Sequence, residues 1–206
     1  MDIKYLFYYS VMKSGKTDLL AKFHNDLKRA KKEHIVLVPE RKDRVVGDFV
    51  TLNQNNKNEV RALVIGKDQN IEDIVNNSQT DEPIYAILVD EAQFLTENQV
   101  IELSNLVDYE NIIVACYGLR IDSNGKLFDG SRALFRFADE LKEIESLCHC
   151  GQKATMVLRF NKNGDVIKNG RQVVLGSDDK YISVCRTHWK ENDIGIDSET
   201  GDEYFY

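Results

Sequence analysis

The sequence predicts an α/β protein: a mostly parallel sheet with helices on both faces, followed by a small β lobe. Three observations carry this expectation. Uniformly apolar segments such as "IYAILVDE" and "NIIVACYG" alternate with helical ones, as strands buried on both faces do. A glycine-containing loop stands between the first strand and the first helix. From Cys148 onward the alternation gives way to short strand-like runs separated by turns.

Residues 3–9, "IKYLFYY", are β-branched, aromatic and apolar and read as a buried strand. After the loop, "TDLLAKFHNDLKRAKK" places Leu19, Leu20, Phe23 and Leu27 at helical spacing, with bases toward its end to suit the helix dipole. "HIVLVPE" (34–40) is a second strand. The stretch from Asp43 to Ile65 reads as a loop followed by a short strand near 60–65, and "IEDIVNNSQ" as a helix. "IYAILVDE" (84–91) is a strongly apolar strand ending in two acids. Residues 96–109 are helical with Thr96 as N-cap, 111–118 form a buried strand, and 131–147 read as a helix. Turns at "KNGD" and "KNGR" then divide an antiparallel lobe. The expected division is a nucleotide-binding part over 1–147, a metal-binding lobe over 148–190 and an acidic tail over 191–206, which has six acids and no base.

The bulk numbers narrow the class. The chain has 206 residues, 42% of them hydrophobic and 30% charged, as in a globular protein. No apolar run approaches the roughly 20 residues of a membrane span, and the N-terminus lacks a signal-like segment. We therefore expect a cytoplasmic protein with no membrane partner. A net charge of −7 argues against a nucleic-acid coat.

The loop "SVMKSGKT" follows G-x-x-x-x-G-K-[ST] except at its first position, where Ser10 replaces glycine. In such loops the second glycine lets backbone N–H groups approach phosphates, the lysine meets the outer phosphates, and the Ser or Thr hydroxyl binds magnesium. A left-handed backbone at Ser10 would cost about 1 kcal/mol or more. The strand before and the helix after supply the required context, so the fold expected is a P-loop (RecA-like) sheet. The nucleotide side would comprise Ser10, Val11, Met12, Lys13, Ser14, Gly15, Lys16 and Thr17, together with Asp90, Glu91, Ala92 and Gln93.

"AILVDEAQF" puts Asp90 and Glu91 at the C-terminal end of a buried strand, the edge where ligands sit in open parallel sheets. Asp90 is suited to share magnesium with Thr17, and Glu91 to take a proton from an attacking hydroxyl. The segment 117–133 is long and glycine-containing with few regular signals, and is the candidate lid.

The chain has four cysteines. Cys148-x-Cys150 is followed by Cys185-x-x-His188, two chelating pairs that suit a structural, tetrahedral zinc site with all four positions taken. The alternative is three buried, reduced cysteines. His149 is expected to point away from the site, Cys116 to be core, and His24 and His34 to lie at the surface.

"SVMKSGKT", "LVDEAQFL", "CYGLRIDSNGKLFDGS", "CHCGQKAT" and "YISVCRTHW" stand in the order found in type II thymidine kinases, and the chain resembles that family from about Ile3 to Trp189. Bacterial and phage members similar to this chain also lack the loop's first glycine. The family has "D-x-R" after the second strand; here "RKDR" has Lys42 in the acid's place and Asp43 shifted by one, leaving Arg44 to serve the phosphates. The resemblance implies an ATP- and magnesium-dependent thymidine kinase, tetrameric, with a structural zinc. It also implies a lasso-like loop that closes over thymidine. It puts Phe94, Phe128 and Tyr181 around the base and the backbone of Val173, Val174, Leu175 and Gly176 at the pyrimidine edge. Read without the resemblance, the same residues also fit a P-loop hydrolase, a zinc-lobe binding module, or a kinase of another deoxynucleoside.

Overall fold

The computed structural model describes residues 4–41, 43–52, 59–78, 82–168 and 179–195. One sheet contains β1 (Tyr5–Ser10), β2 (His34–Pro39), β3 (Phe49–Leu52), β4 (Val60–Ile65), β5 (Ala86–Val89), β6 (Ile113–Leu119) and β7 (Glu140–Glu143). Their order across the sheet is β3-β4-β2-β5-β6-β1-β7. Every neighbouring pair is parallel except β3 with β4. The helices are α1 (Lys16–Arg29), α2 (Ile71–Asn76), α3 (Glu97–Glu110), α4 (Asp129–Phe137) and α5 (Arg186–Glu191). None is long and apolar enough to cross a membrane.

Alternation along the strands makes two cores. Leu6, Val36, Val38, Leu88 and Ala115 face Leu20, Ala21 and Leu27 of α1. On the other face Tyr5, Phe7, Leu37, Ile87, Val89 and Val114 pack with α2, α3 and α4. The central strands are apolar on both sides because both sides are covered, as their composition predicts. Thr96 caps α3 with a reciprocal capping box: Gln99 N–H donates to Thr96 Oγ1 (3.2 Å) and Thr96 N–H to Gln99 Oε1 (3.1 Å).

Two expectations need correction. The helix read over 131–147 ends at Phe137, and residues 140–143 form β7 beside β1. Leu134, Phe137, Leu141 and Ile144 have helical spacing, but Ala138 is extended and the chain pairs instead with the open edge of β1. Asp139 secures the junction, its N–H donating to Tyr5 O and its carboxylate accepting from Tyr5 N–H, each at 2.8 Å. The resulting edge strand carries Glu140, Lys142 and Glu143, charges that discourage further strand addition. At the opposite edge, the stretch read as a loop before 60–65 contains β3, antiparallel to β4.

Beyond the main sheet, β8 (Met156–Phe160) and β9 (Lys180–Val184) form an antiparallel pair, and α5 follows β9. The "KNGD" turn is present, with Gly164 left-handed (φ 85°). The "KNGR" turn lies outside the described residues, as does most of the acidic tail. A third apolar cluster joins Cys148, Ala154, Val157, Leu158, Val184 and Cys185, and Val11 of the glycine-containing loop belongs to it.

Candidate active site

The sheet register builds the site. β5 ends opposite Cys116, while β6 continues to Leu119 opposite Ser10 at the end of β1. The chain leaving β5 therefore folds over the exposed end of β6, toward the loop that follows β1. That loop has its left-handed residues at Lys13 (φ 55°) and Gly15 (φ 78°), and Ser10 is not left-handed. A serine there carries no backbone penalty. Gly15 caps α1 without a side-chain hydrogen bond, so the first-turn N–H groups have no capping side chain and face the loop as an anion site would require. Val11 and Met12 turn away into the apolar cluster of the β8–β9 lobe, and Ser183 Oγ donates to Met12 O at 2.8 Å.

Lys16 Nζ reaches Ser10 Oγ (2.7 Å), Val11 O (3.0 Å) and Ser14 Oγ (3.4 Å), so the ammonium is folded back into the loop. Burial pushes its pKa down to about 8, against the pull of Glu91 and Asp90. Thr17 Oγ1 donates to Asp90 Oδ2 at 3.4 Å. Two oxygens sharing an octahedral magnesium lie about 2.9 Å apart, so this pair fits the ion after a small closure. Asp90 is 5% exposed, and burial first, then the neighbouring Glu91, raises its pKa to about 6.

Glu91 is left-handed (φ 52°), a conformation that costs a non-glycine residue roughly 1 kcal/mol or more. The turn sends Asp90 and Glu91 different ways, which a continuing strand also does by alternation, and starts a 3₁₀ turn at Ala92–Phe94. The Glu91 carboxylate lies between two donors. Gln93 Nε2 donates to Oε2 at 2.5 Å, and Arg41 Nη1 lies 3.5 Å from Oε1. Sequence reasoning chose Arg44 of "RKDR" and passed over Arg41. Among the described residues Arg44 Nη1 is buried without a hydrogen-bond partner, while Arg41 is the arginine paired with Glu91 and Asp43. Arg44 also lies within electrostatic reach of Asp90 and Glu91, and the turn after β2, not spacing, makes Arg41 the one that pairs with Glu91.

Phe94 and Phe128 meet edge to face, with centroids 5.6 Å apart. Tyr181 lies on β9 and packs into the lobe cluster. Val173, Val174, Leu175 and Gly176 lie outside the described residues. The segment between β6 and α4 is a small hairpin closed by an Ile121–Leu127 bridge, and Trp189 Nε1 donates to its Ser123 O at 3.1 Å. Gly130 was also missed. A Cβ there would lie 2.6 Å from Ala92 O and 2.8 Å from both Gln93 O and Leu95 O, so only glycine lets α4 approach the turn.

Cys148, Cys150, Cys185 and His188 converge, with all ligand atoms within 4.8 Å of one another. Cys148 Sγ is 3.3 Å from His188 Nδ1 and Cys150 Sγ is 4.0 Å from Cys185 Sγ. Sulfurs around a tetrahedral zinc stand about 3.8 Å apart, so this donor set fits a tetrahedral metal ion. His149 does not point away: its ring stacks on His188 at 4.3 Å. His24 and His34 pair with each other at 2.8 Å beside an open groove that includes none of the site residues above.

A family model described as thymidine kinase matches residues 3–189. The chain is 39% identical over 188 residues to a thymidine kinase of Mannheimia succiniciproducens, covering 91% of this chain and 95% of that one. It is 40% identical to one of Haemophilus influenzae, covering 91% and 96%. A thymidine kinase of Yersinia pestis is 42% identical over 187 residues, covering 90% and 93%.

Proposed function

This chain belongs to the thymidine kinase family, and from that premise we propose that it transfers the γ-phosphoryl group of ATP to the 5′-hydroxyl of thymidine, giving thymidine 5′-phosphate in deoxynucleoside salvage. The observation that carries the assignment of roles is the convergence of Lys16, Thr17, Asp90 and Glu91 from the ends of two strands.

The phosphates sit in the Ser10–Thr17 loop against the N–H groups that begin α1. Lys16 leaves Ser10 and Val11 for the outer phosphates. Thr17 and Asp90 would hold magnesium, which supplies charge neutralisation at the transferring group when bound. Glu91 accepts the proton of the 5′-hydroxyl as that oxygen bonds to the γ-phosphorus, and the bond to the β-phosphate oxygen breaks to release ADP. Phe94, Phe128 and Tyr181 enclose the base, with the backbone of Val173–Gly176 at its edge. Residues 117–133 close over the acceptor and exclude water, which would otherwise take the phosphoryl group. Arg44 is a second cation for the phosphates.

Cys148, Cys150, Cys185 and His188 would hold a structural zinc that knits a lobe too small for a large core of its own. We read 1–147 as the nucleotide-binding part, 148–190 as this lobe and 191–206 as an acidic tail. Unpaired cysteines suit a cytoplasmic location, and a net charge of −7 argues against a nucleic-acid partner. The expected homotetramer rests on the family resemblance alone.

ATP consumption measured with and without thymidine tests the proposal. Turnover should depend on the nucleoside, and equal ATP loss in its absence would identify a hydrolase instead. A nucleoside panel then fixes the acceptor range.

A further inference from the structure

We infer that Gln93 is a positioning residue for the Glu91 carboxylate, tying it to the foot of the segment that closes over the acceptor, and is not a nucleotide contact. The inference rests on the reading of Glu91 as the proton acceptor.

Gln93 is 2% exposed, and both ends of its amide are engaged. Leu119 N–H can only donate, so the atom it meets at 2.9 Å is the amide oxygen. That leaves the NH2 group facing Glu91 Oε2 at 2.5 Å. The orientation of the amide is thus set by the backbone, and with it the donor presented to Glu91.

The surroundings leave no slack. A Cβ on Gly118 would stand 3.0 Å from Gln93 N and 3.1 Å from Gln93 Oε1. Ser131 Oγ, from α4, donates to Leu119 O at 2.5 Å. Arg120 N–H donates to Ser10 O at 2.9 Å, at the start of the phosphate loop. Leu119 is therefore held by Gln93 through its N–H and by α4 through its C=O, at the point where the Ile121–Leu127 hairpin leaves the sheet. Through these bonds Gln93 fixes the Glu91 carboxylate relative to the foot of that hairpin. The base and the segment read as covering the acceptor are thus held in one frame.

Two variants test this, with ATP-induced thermal shift as the check that each folds and binds nucleotide. Gln93→Met removes both hydrogen bonds at similar volume; kcat should fall on the order of 100-fold, the scale of a misplaced catalytic group, with the KM for ATP nearly unchanged. Gln93→Glu is isosteric and carries the test alone if Gln93→Met does not fold. When protonated, its carboxyl can accept from Leu119 N–H and donate to Glu91; when ionised it can only repel Glu91. Its kcat should therefore fall as pH rises across a range where wild-type kcat does not. A wild-type pH profile in Gln93→Glu, or a raised ATP KM with unchanged kcat in Gln93→Met, overturns the inference. Glu91→Gln measured alongside separates the two readings. If that variant turns over normally, the base assignment falls. If it is inactive while Gln93→Glu behaves as wild type, only the role of Gln93 falls.

Discussion

The ammonium of Lys16 lies 2.7 Å from the hydroxyl of Ser10, the residue that stands where the loop pattern has its first glycine. The serine is compatible with the loop because the left-handed corners fall at Lys13 and Gly15 instead. Its hydroxyl holds the lysine before nucleotide arrives, a contact that phosphate replaces. We predict that Ser10→Gly leaves the KM for ATP within a few-fold, since it removes only the hydroxyl's contacts with Lys16, Ser14 and Val11 in the ligand-free loop and adds modest backbone freedom. Lys16→Ala should lower kcat/KM by 100-fold or more, roughly the loss seen on removing one charge-stabilising donor. Equal damage from the two substitutions would give the Ser10 hydroxyl a direct part in catalysis.

Nucleotide binding should be confined to a pH window. Phosphate needs Lys16 charged, and burial has brought that group down to about 8 in the free protein. Magnesium needs Asp90 ionised, and burial has brought it up to about 6. Affinity for magnesium ATP should therefore weaken as pH rises through 8 and again as it falls through 6. Calorimetric titration from pH 5 to 9 checks this, and a flat profile below pH 6 would remove Asp90 from the magnesium site.

Asp90 and Glu91 should separate by function and by stability. Glu91→Gln keeps size but removes the base, so kcat should drop roughly 100-fold or more with the ATP constant nearly unchanged. Asp90→Asn should weaken magnesium dependence and ATP binding together. It should also raise the melting temperature of the ligand-free protein at pH 7. The raised pKa of Asp90 means that its stabilising, protonated form is complete below 3.8 and lost as pH passes 6, leaving a buried charge at neutrality. Removing it should gain about 3 kcal/mol at pH 7 and almost nothing at pH 3.5. Two mild variants that merely track stability would make the pair a structural turn.

Gly130→Ala should be severe for a glycine-to-alanine change inside a helix, where alanine is ordinarily the better residue. The new methyl meets the carbonyls of Ala92, Gln93 and Leu95 and must push α4 off the turn that carries Glu91. We expect a loss of about 1–3 kcal/mol, as for overpacking, in a denaturant melt, with kcat lowered more than the ATP constant. A variant as stable and active as wild type would show that α4 shifts freely.

Cys185→Ser should release the bound metal, about one ion per chain in the intact protein, and disorder the lobe. Because Val11 and Met12 pack inside that lobe, ATP binding should weaken along with thymidine binding. Full activity in a metal-free preparation would end the assignment of a structural zinc site.

Much of this was legible in the sequence, for local reasons. An apolar run followed by S-G-K-T and an amphipathic segment names β1, its loop and α1 without reference to anything distant. Cys148, Cys150, Cys185 and His188 could be grouped because chelation restricts which residue types and spacings serve. The elements missed depend on partners far away in the chain. β7 is a strand only because the edge of β1 is open beside it. Arg41 faces Glu91, and Gln93, read as a residue of the nucleotide side, turns to Glu91, because of how two turns fold. Val11 reads as part of the nucleotide side, yet it is 4% exposed, since the lobe that buries it arrives more than a hundred residues later.

That burial of Val11 bears on modularity. A fragment ending near residue 147 would contain every group expected to touch phosphate, yet it would expose Val11 and part of Met12 to water and lose the Ser183 contact to the loop. Exposing one such side chain costs about 1.5–3 kcal/mol, and here the cost falls on the segment that must hold its shape for nucleotide. The lobe is thus not an accessory that can be exchanged or trimmed while an ATP-binding core is kept. The phosphate loop is a party wall between two rooms, and a chimera that rebuilds the far room must also resupply a pocket for Val11.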